Sequence, residues 1–179
     1  IPNQSQCMGC HKQNGALQPI GIAARHLNGD YTYTTGKENQ LQHWKKNGMI
    51  DLLPVATIPA NAVWNKEQTG TTEQRARAYL DINCVHCHNN NGPASSSGLF
   101  LDIHETNLTK LGVNKTPVAA GRASGNLLYD IHPGKPDKSI LIYRMKSTDP
   151  GIAMPEVGRE QLHKEEIGLI SKWIKGLRD

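Results

Sequence analysis

The sequence predicts a mainly α fold whose helices are joined by long irregular loops and packed around something other than protein. Three observations predict it. Amphipathic stretches with helical spacing recur in the second half of the chain. The 17 glycines and 10 prolines in 179 residues call for much irregular backbone. Hydrophobic residues make up only 37% and aromatics 5%, too thin for a core that fills itself.

Taken in chain order, no helix is expected before Cys7, because only six residues precede it. The stretch from Gly15 to Gly36, rich in glycine, asparagine and threonine, is expected to wrap as loop. A helix is predicted over Lys37 to Asn47, with Leu41 and Trp44 inward and Gly48 ending it. Leu52 to Gln68, with prolines at 54 and 59, reads as a linker, packed through Val55, Ile58, Val63 and Trp64. Thr71 and Gln74 form a capping box opening a helix to Ile82, with Ala76, Tyr79, Leu80 and Asn83 on one face. A short helix after Pro136 and Asp137 carries Ile140, Leu141, Tyr143 and Arg144. A final helix from about Arg159 to Leu177 has the apolar stripe Leu162, Ile170, Trp173, Ile174 and Leu177. These elements divide the chain into an N-terminal segment, 1–69, and a C-terminal domain, 70–179.

The four cysteines come in two pairs of identical spacing, Cys7-Met8-Gly9-Cys10-His11 and Cys84-Val85-His86-Cys87-His88. Each is C-x-x-C-H, the attachment signature of c-type haem. Two thiols three positions apart can reach both vinyl groups of one porphyrin edge, and the next residue turns its imidazole under the iron. Two C-x-x-C pairs could instead clamp one zinc or act as redox disulfides, but neither use needs a histidine after both pairs. With 8 histidines in 179 residues, that coincidence has a chance of about 1 in 500. The expected cofactors are therefore two haem c groups, with all four cysteines consumed as thioethers and His11 and His88 as proximal iron ligands.

Helix, C-x-x-C-H, long irregular stretch and closing amphipathic helix resembles the layout of class I cytochromes c from about Thr71 to Asp179. That resemblance implies that the first and last helices cross beside the haem and that a methionine from the late loop is the distal ligand. Ala153-Met154-Pro155-Glu156 is similar to the family's distal Met-Pro turn. The whole chain also resembles a family of bacterial dihaem cytochromes. The matching stretches are Pro19-Ile20-Gly21, Leu27-Asn28, Asn39-Gln40-Leu41, Arg75-Ala76-Arg77-Ala78-Tyr79-Leu80, and Pro133-Gly134-Lys135-Pro136 running on to Arg144-Met145. The resemblance implies electron transfer outside the cytoplasm.

Met154 is the expected distal ligand of the second haem, 66 residues after His88 and just ahead of the closing helix. Met145 is its rival, but it lies in an apolar helix where core packing is the better reading. For the first haem the candidates are His43, then Met49, then His26, with an open coordination site as a fourth case. His86 and Met8 occupy spacer positions and are expected to face outward. His104, His132 and His163 read as surface or hydrogen-bonding residues. Arg25, Arg122 and Arg144, with Trp44 and Trp64, are candidates to hold propionates or pack the ring edge.

The net charge of +4 is modest and the basic residues are scattered without interleaved aromatics, which argues against nucleic acid. Two haems would add about four carboxylates and roughly cancel it. No stretch is long enough for a membrane span. The chain opens at Ile1 without a starter methionine or signal peptide, and reads as a mature secreted product or the tail domain of a larger redox protein. The leading expectation is a periplasmic or extracellular electron-transfer relay with a dehydrogenase, an oxidase or another cytochrome as redox partner, and not an enzyme. A dihaem peroxidase or gas sensor with one open haem is the second reading, and a zinc-binding interaction module the third.

Overall fold

The computed structural model of the chain describes residues 3–13, 16–17, 19–51, 55–118, 120–156 and 161–178. Helices predominate among the described elements, accompanied by two small antiparallel strand pairs. The chain divides into two compact units, one formed by Ile1–Ile20 with Val63–Asp179 and the other by Gly21–Ala62. The expected boundary at 69/70 therefore falls inside the first unit. Residues 63–69 fold onto the helix that follows, and residues 1–20 cluster with the C-terminal part of the chain.

In the first unit, α1 (Gln4–His11) carries the first cysteine pair and is followed by the strand pair β1 (Lys12–Gln13) and β2 (Ala16–Leu17). The expectation that no helix precedes Cys7 is corrected, since α1 begins three residues earlier and runs through the whole motif. The helix α4 (Thr72–Asn83) starts where the capping box predicts. Thr71 Oγ1 accepts the Gln74 N–H at 3.1 Å and Gln74 Oε1 accepts the Thr71 N–H at 2.8 Å. The helices α5 (Ile140–Met145) and α6 (Lys164–Gly176) follow, with α6 packed against both α4 and α5. The start of the last helix predicted near Arg159 lies outside the described residues, and the described helix opens at Lys164.

The core of this unit is built from Ala76 and Leu80 of α4, Ile142 and Met145 of α5, and Ile167, Leu169, Ile170, Trp173 and Ile174 of α6. Leu101, Leu111, Val113 and Ile131 close it from the intervening loops. Those loops are tied down by isolated parallel bridges, Val113 to Ile131 and Tyr129 to Ser139. The face predicted for α4 is broader than its apolar stripe, because Arg75, Arg77 and Asp81 are buried as well. Arg77 donates to the carbonyls of Asp102 and Glu105 at 2.8 Å and of Ile103 at 3.2 Å. Asp81 accepts the Ile103 N–H at 3.2 Å, so a buried charge of each sign nails one loop to the helix. Arg75 reaches the Trp64 carbonyl at 3.0 Å, which seats the end of the predicted linker on the core. Of the other linker residues, Leu52 to Pro54 and the Val55 side chain lie outside the described residues, and Val63 is exposed.

The second unit holds α2 (Ala24–Leu27), the hairpin β3 (Asp30–Tyr33) and β4 (Gly36–Asn39), and α3 (Gln40–Lys46). Two expectations change here. The stretch from Gly15 to Gly36 is not all loop, and Lys37 to Asn39 are strand and not the first turn of a helix. Asp30 to Tyr33 pair with them, Asp30 facing Asn39 and Tyr33 facing Gly36. Gly36 adopts φ +123°, a value that side-chain-bearing residues rarely take. Asn39 then caps α3, accepting the N–H of Leu41 at 3.0 Å and of Gln42 at 3.2 Å. Its amide also donates to Asn28 at 2.9 Å, and Asn28 donates to the Ile58 carbonyl at 2.6 Å. As predicted, Leu41 points inward and Gly48 ends the helix.

Candidate functional site

The helix α4 hands the chain directly to the second motif. Cys84 caps it, bonding its N–H to the Leu80 carbonyl at 2.9 Å, and the Cys87 and His88 N–H groups both return to the Cys84 carbonyl. The turn that results projects three motif side chains from one rigid helix end. Asn89 locks it further, donating to the Val85 carbonyl at 2.6 Å. The loop after it folds back at close range, with Ala94 N–H on the Cys87 carbonyl and Leu101 N–H on the His88 carbonyl. Gly92 makes that approach possible, since a Cβ there would overlap the Cys87 carbonyl group, its carbon 2.8 Å away.

His88 is half-buried, and its Nδ1 lies 3.3 Å from the Leu99 carbonyl. A carbonyl only accepts, so Nδ1 carries the proton and Nε2 keeps its lone pair. Burial, with the Arg144 guanidinium adding to it, lowers the His88 pKa, while the Leu99 bond opposes the shift. A neutral imidazole with Nε2 free is the form that ligates iron.

Met154 is half-buried and joined to Pro155 by a cis peptide. Its N–H bonds the Arg144 carbonyl at 3.2 Å, and Arg144 Nε donates to the Ile152 carbonyl at 2.9 Å. Arg144 thus anchors the Met154 turn to α5 and also lies within electrostatic range of His88. Glu156, two residues on, is near enough to Cys87 to help raise that thiol. The turn is braced from outside by the fork of Arg122 on Asp149, both bonds 3.1 Å. The Gly151 N–H, then Arg122, hold the Asp149 carboxyl below its usual range. Of the arginines predicted to face a cofactor, Arg122 is committed to Asp149 and exposed, while Arg144 stays at the site. Met145, the rival ligand, is core as expected.

Burial disfavours the thiolate at both cysteines of the second motif. Burial pushes Cys84 up to about 12, and burial with the neighbouring Cys10 pushes Cys87 up to about 11. All four cysteines are free of disulfides. Among the described residues no three of His, Cys, Asp and Glu converge to cage a metal ion.

The first motif has a plainer setting. Cys7 and Met8 are exposed, while Cys10 and His11 are half-buried. Cys10 is near enough to Cys87 to help raise that thiol. The spacer His86, expected to face outward, is turned in instead. Its Nδ1 is fully buried with no hydrogen-bond partner among the described residues. Burial, and then the nearness of His11, lower its pKa. Sequence reasoning missed this residue because the motif rule treats both spacers as interchangeable.

The remaining ligand candidates for the first motif lie in the second unit. His43 bonds the Glu38 carboxylate through Nδ1 at 2.9 Å and stacks on Tyr33 with ring centroids 3.7 Å apart. A carboxylate only accepts, so this hydrogen bond is donated by the Nδ1–H. Met49 is 65% exposed after α3. His26 is half-buried in α2, its Nδ1 accepting the Ala23 N–H at 3.3 Å. Trp44 is half-buried in the same unit and Trp64 packs against the core of the other. His104 is exposed, His132 sits edge-on to Tyr129 and His163 pairs with Glu166 at 3.5 Å, as befits surface or bonding histidines. No helix among the described residues is long and apolar enough to cross a membrane. No protein-family model, no curated protein and no solved structure matches this chain.

Proposed function

We propose that the chain is a dihaem c-type cytochrome that relays electrons outside the cytoplasm. The observation that carries the reading is His88 at the end of a capped helix, its Nδ1 on the Leu99 carbonyl and its Nε2 left as a lone pair. Cys84 and Cys87 would hold the second haem, with His88 as proximal and Met154 as distal ligand. Cys7, Cys10 and His11 would hold the first. When bound, haem supplies a reversible one-electron couple, and the chain sets where that couple lies. His88 contributes a fixed tautomer, and Met154 a soft thioether that favours ferrous iron. The 92–101 loop and the 152–156 turn exclude water from the sides they cover. The packing of α6 on α4 supports a class I cytochrome c-like arrangement around this site. A dehydrogenase, an oxidase or another cytochrome is the proposed partner class.

The test is the absorption spectrum of the reduced protein in alkaline pyridine, quantified per chain. Two haems c per chain are expected. One haem would overturn the dihaem assignment and leave a monohaem cytochrome. None would overturn electron transfer itself and move zinc binding by the cysteines to first place.

A further inference from the structure

The end of α6 carries a cavity that the electron-transfer reading does not use. The turn from Pro133 to Ser139 lies against the last turn of that helix, where the Gly134 N–H bonds the Ile174 carbonyl at 2.9 Å. Gly134 takes φ +70°, a conformation that suits glycine and lets the chain reverse there. Ser139 is fully buried and staples the turn from within. Its Oγ donates to the Lys135 carbonyl at 3.1 Å and accepts the His132 N–H at 2.9 Å. The Lys138 N–H returns to the same Lys135 carbonyl at 3.0 Å. The backbone that presents Lys135 and Lys138 is therefore fixed before any ligand arrives, which lowers the cost of binding one.

Between this turn and α6 is an open cavity of about 410 Å³, lined by Gly134, Lys135, Pro136, Asp137, Lys138 and Lys175. All three lysines are exposed. The acid beside them is already engaged, since Asp137 accepts from Lys146 Nζ at 3.2 Å. Among the described residues no carboxylate pairs with Lys135, Lys138 or Lys175. A single solvated lysine needs no explanation, and Lys175 in the last turn of α6 is favoured there by the helix dipole. That accounts for one of the three. Three ammonium side chains on one cavity repel each other unless an anion joins them.

We propose that this cavity binds a small, multiply charged oxyanion of the pyrophosphate kind. Lysine meets an oxyanion as a point charge on a flexible stem, without the fixed fork of arginine. Such a site selects for density of negative charge, which pyrophosphate supplies and a single carboxylate does not. No residue of either C-x-x-C-H motif lines the cavity, so the binding goes beyond the proposed electron transfer and does not rest on it.

Isothermal titration calorimetry of the holoprotein with inorganic pyrophosphate at low ionic strength tests this. One saturable site per chain is expected, and it should weaken as salt is added. Lys138→Gln and Lys175→Gln should each weaken it about tenfold, the loss of one charge-assisted hydrogen bond. Lys138→Arg should retain it. Lys110→Gln removes the same charge from an exposed lysine outside the cavity and should change nothing. All these side chains are exposed, so the variants should fold as wild type does. Amide chemical shifts on adding pyrophosphate should move most from Gly134 to Lys138 and at Lys175. The absence of a saturable site would overturn the proposal. So would unchanged binding in Lys138→Gln and Lys175→Gln, or equal weakening in Lys110→Gln, which would reduce the effect to net charge. The titration reads the same whether the chain carries two haems, one or none, so its failure and that of the dihaem reading are distinguishable.

Discussion

The two C-x-x-C-H motifs share five positions and almost nothing else. The second is the end point of a capped helix, covered by a loop that only glycine allows so close, with its histidine tautomer set by a carbonyl and a methionine turn braced nearby. The first is itself an eight-residue helix with its leading cysteine exposed. In the proposed reading the signature specifies attachment, while the surroundings specify how firmly the histidine is oriented and what would approach the iron. The same difference predicts how each motif responds to substitution.

Gly92→Ala should have the largest effect. The added methyl overlaps the Cys87 carbonyl group, a backbone neighbour that cannot swing aside, so the loop must move. We expect a loss of roughly 4 kcal/mol in stability. Haem content should fall from two per chain to one, with the second motif empty. Denaturant melts and peptide mapping of the haem-bearing fragments check both. Retention of two haems with an unchanged melt would show that the loop does not support the second motif.

Arg77→Ala attacks the same region from beneath and should cost somewhat less, about 3 kcal/mol. Three carbonyls lose their donor and Asp81 is left as a buried charge without its cationic neighbour. Arg77→Lys should recover only part of this, because an ammonium does not reproduce the planar fork. The midpoint of urea unfolding measures it. Haem attachment at Cys7 and Cys10 should persist in both variants under folding conditions, which would separate support for the second motif from support for the first.

This asymmetry explains what could be read from the sequence. The capping box at Thr71 and Gln74, the apolar spacing of α6 and the motif itself are local patterns, and each was legible. The hairpin at Asp30–Asn39 was not, because its strands are four residues long and its lysine and glutamate resemble a helix's first turn. Arg77 and Asp81 lie outside the predicted apolar face, and only the backbone carbonyls and N–H of residues 102–105, over twenty positions on, account for their burial. The inward turn of the His86 ring was hidden for the same reason, since no local rule buries a spacer of the motif. The start of α4 was written in neighbouring residues, whereas the surroundings of the first motif depend on what the rest of the chain brings to it.

Gly9→Ala is the mirror of Gly92→Ala and should have the smallest effect, with the opposite sign. Gly9 lies inside the first motif, between Met8 and Cys10 in α1, whereas Gly92 lies four residues beyond His88. A Cβ built there meets nothing within 4 Å. Alanine is the better helix former by about 0.5–1 kcal/mol, since glycine gives up more backbone freedom on folding. In a helix of eight residues at the edge of the unit, that gain should appear as slower amide hydrogen exchange over Cys7–His11 and leave the global melting temperature almost unchanged. Haem content should remain two per chain. A methyl group would then empty one motif and tighten the other, because backbone lies against Gly92 and no described atom lies within 4 Å of a Cβ at Gly9. Loss of the first haem in Gly9→Ala would instead mean that something closes over α1 as tightly as the 92–101 loop closes over Cys87, and the contrast between the motifs would have to be abandoned.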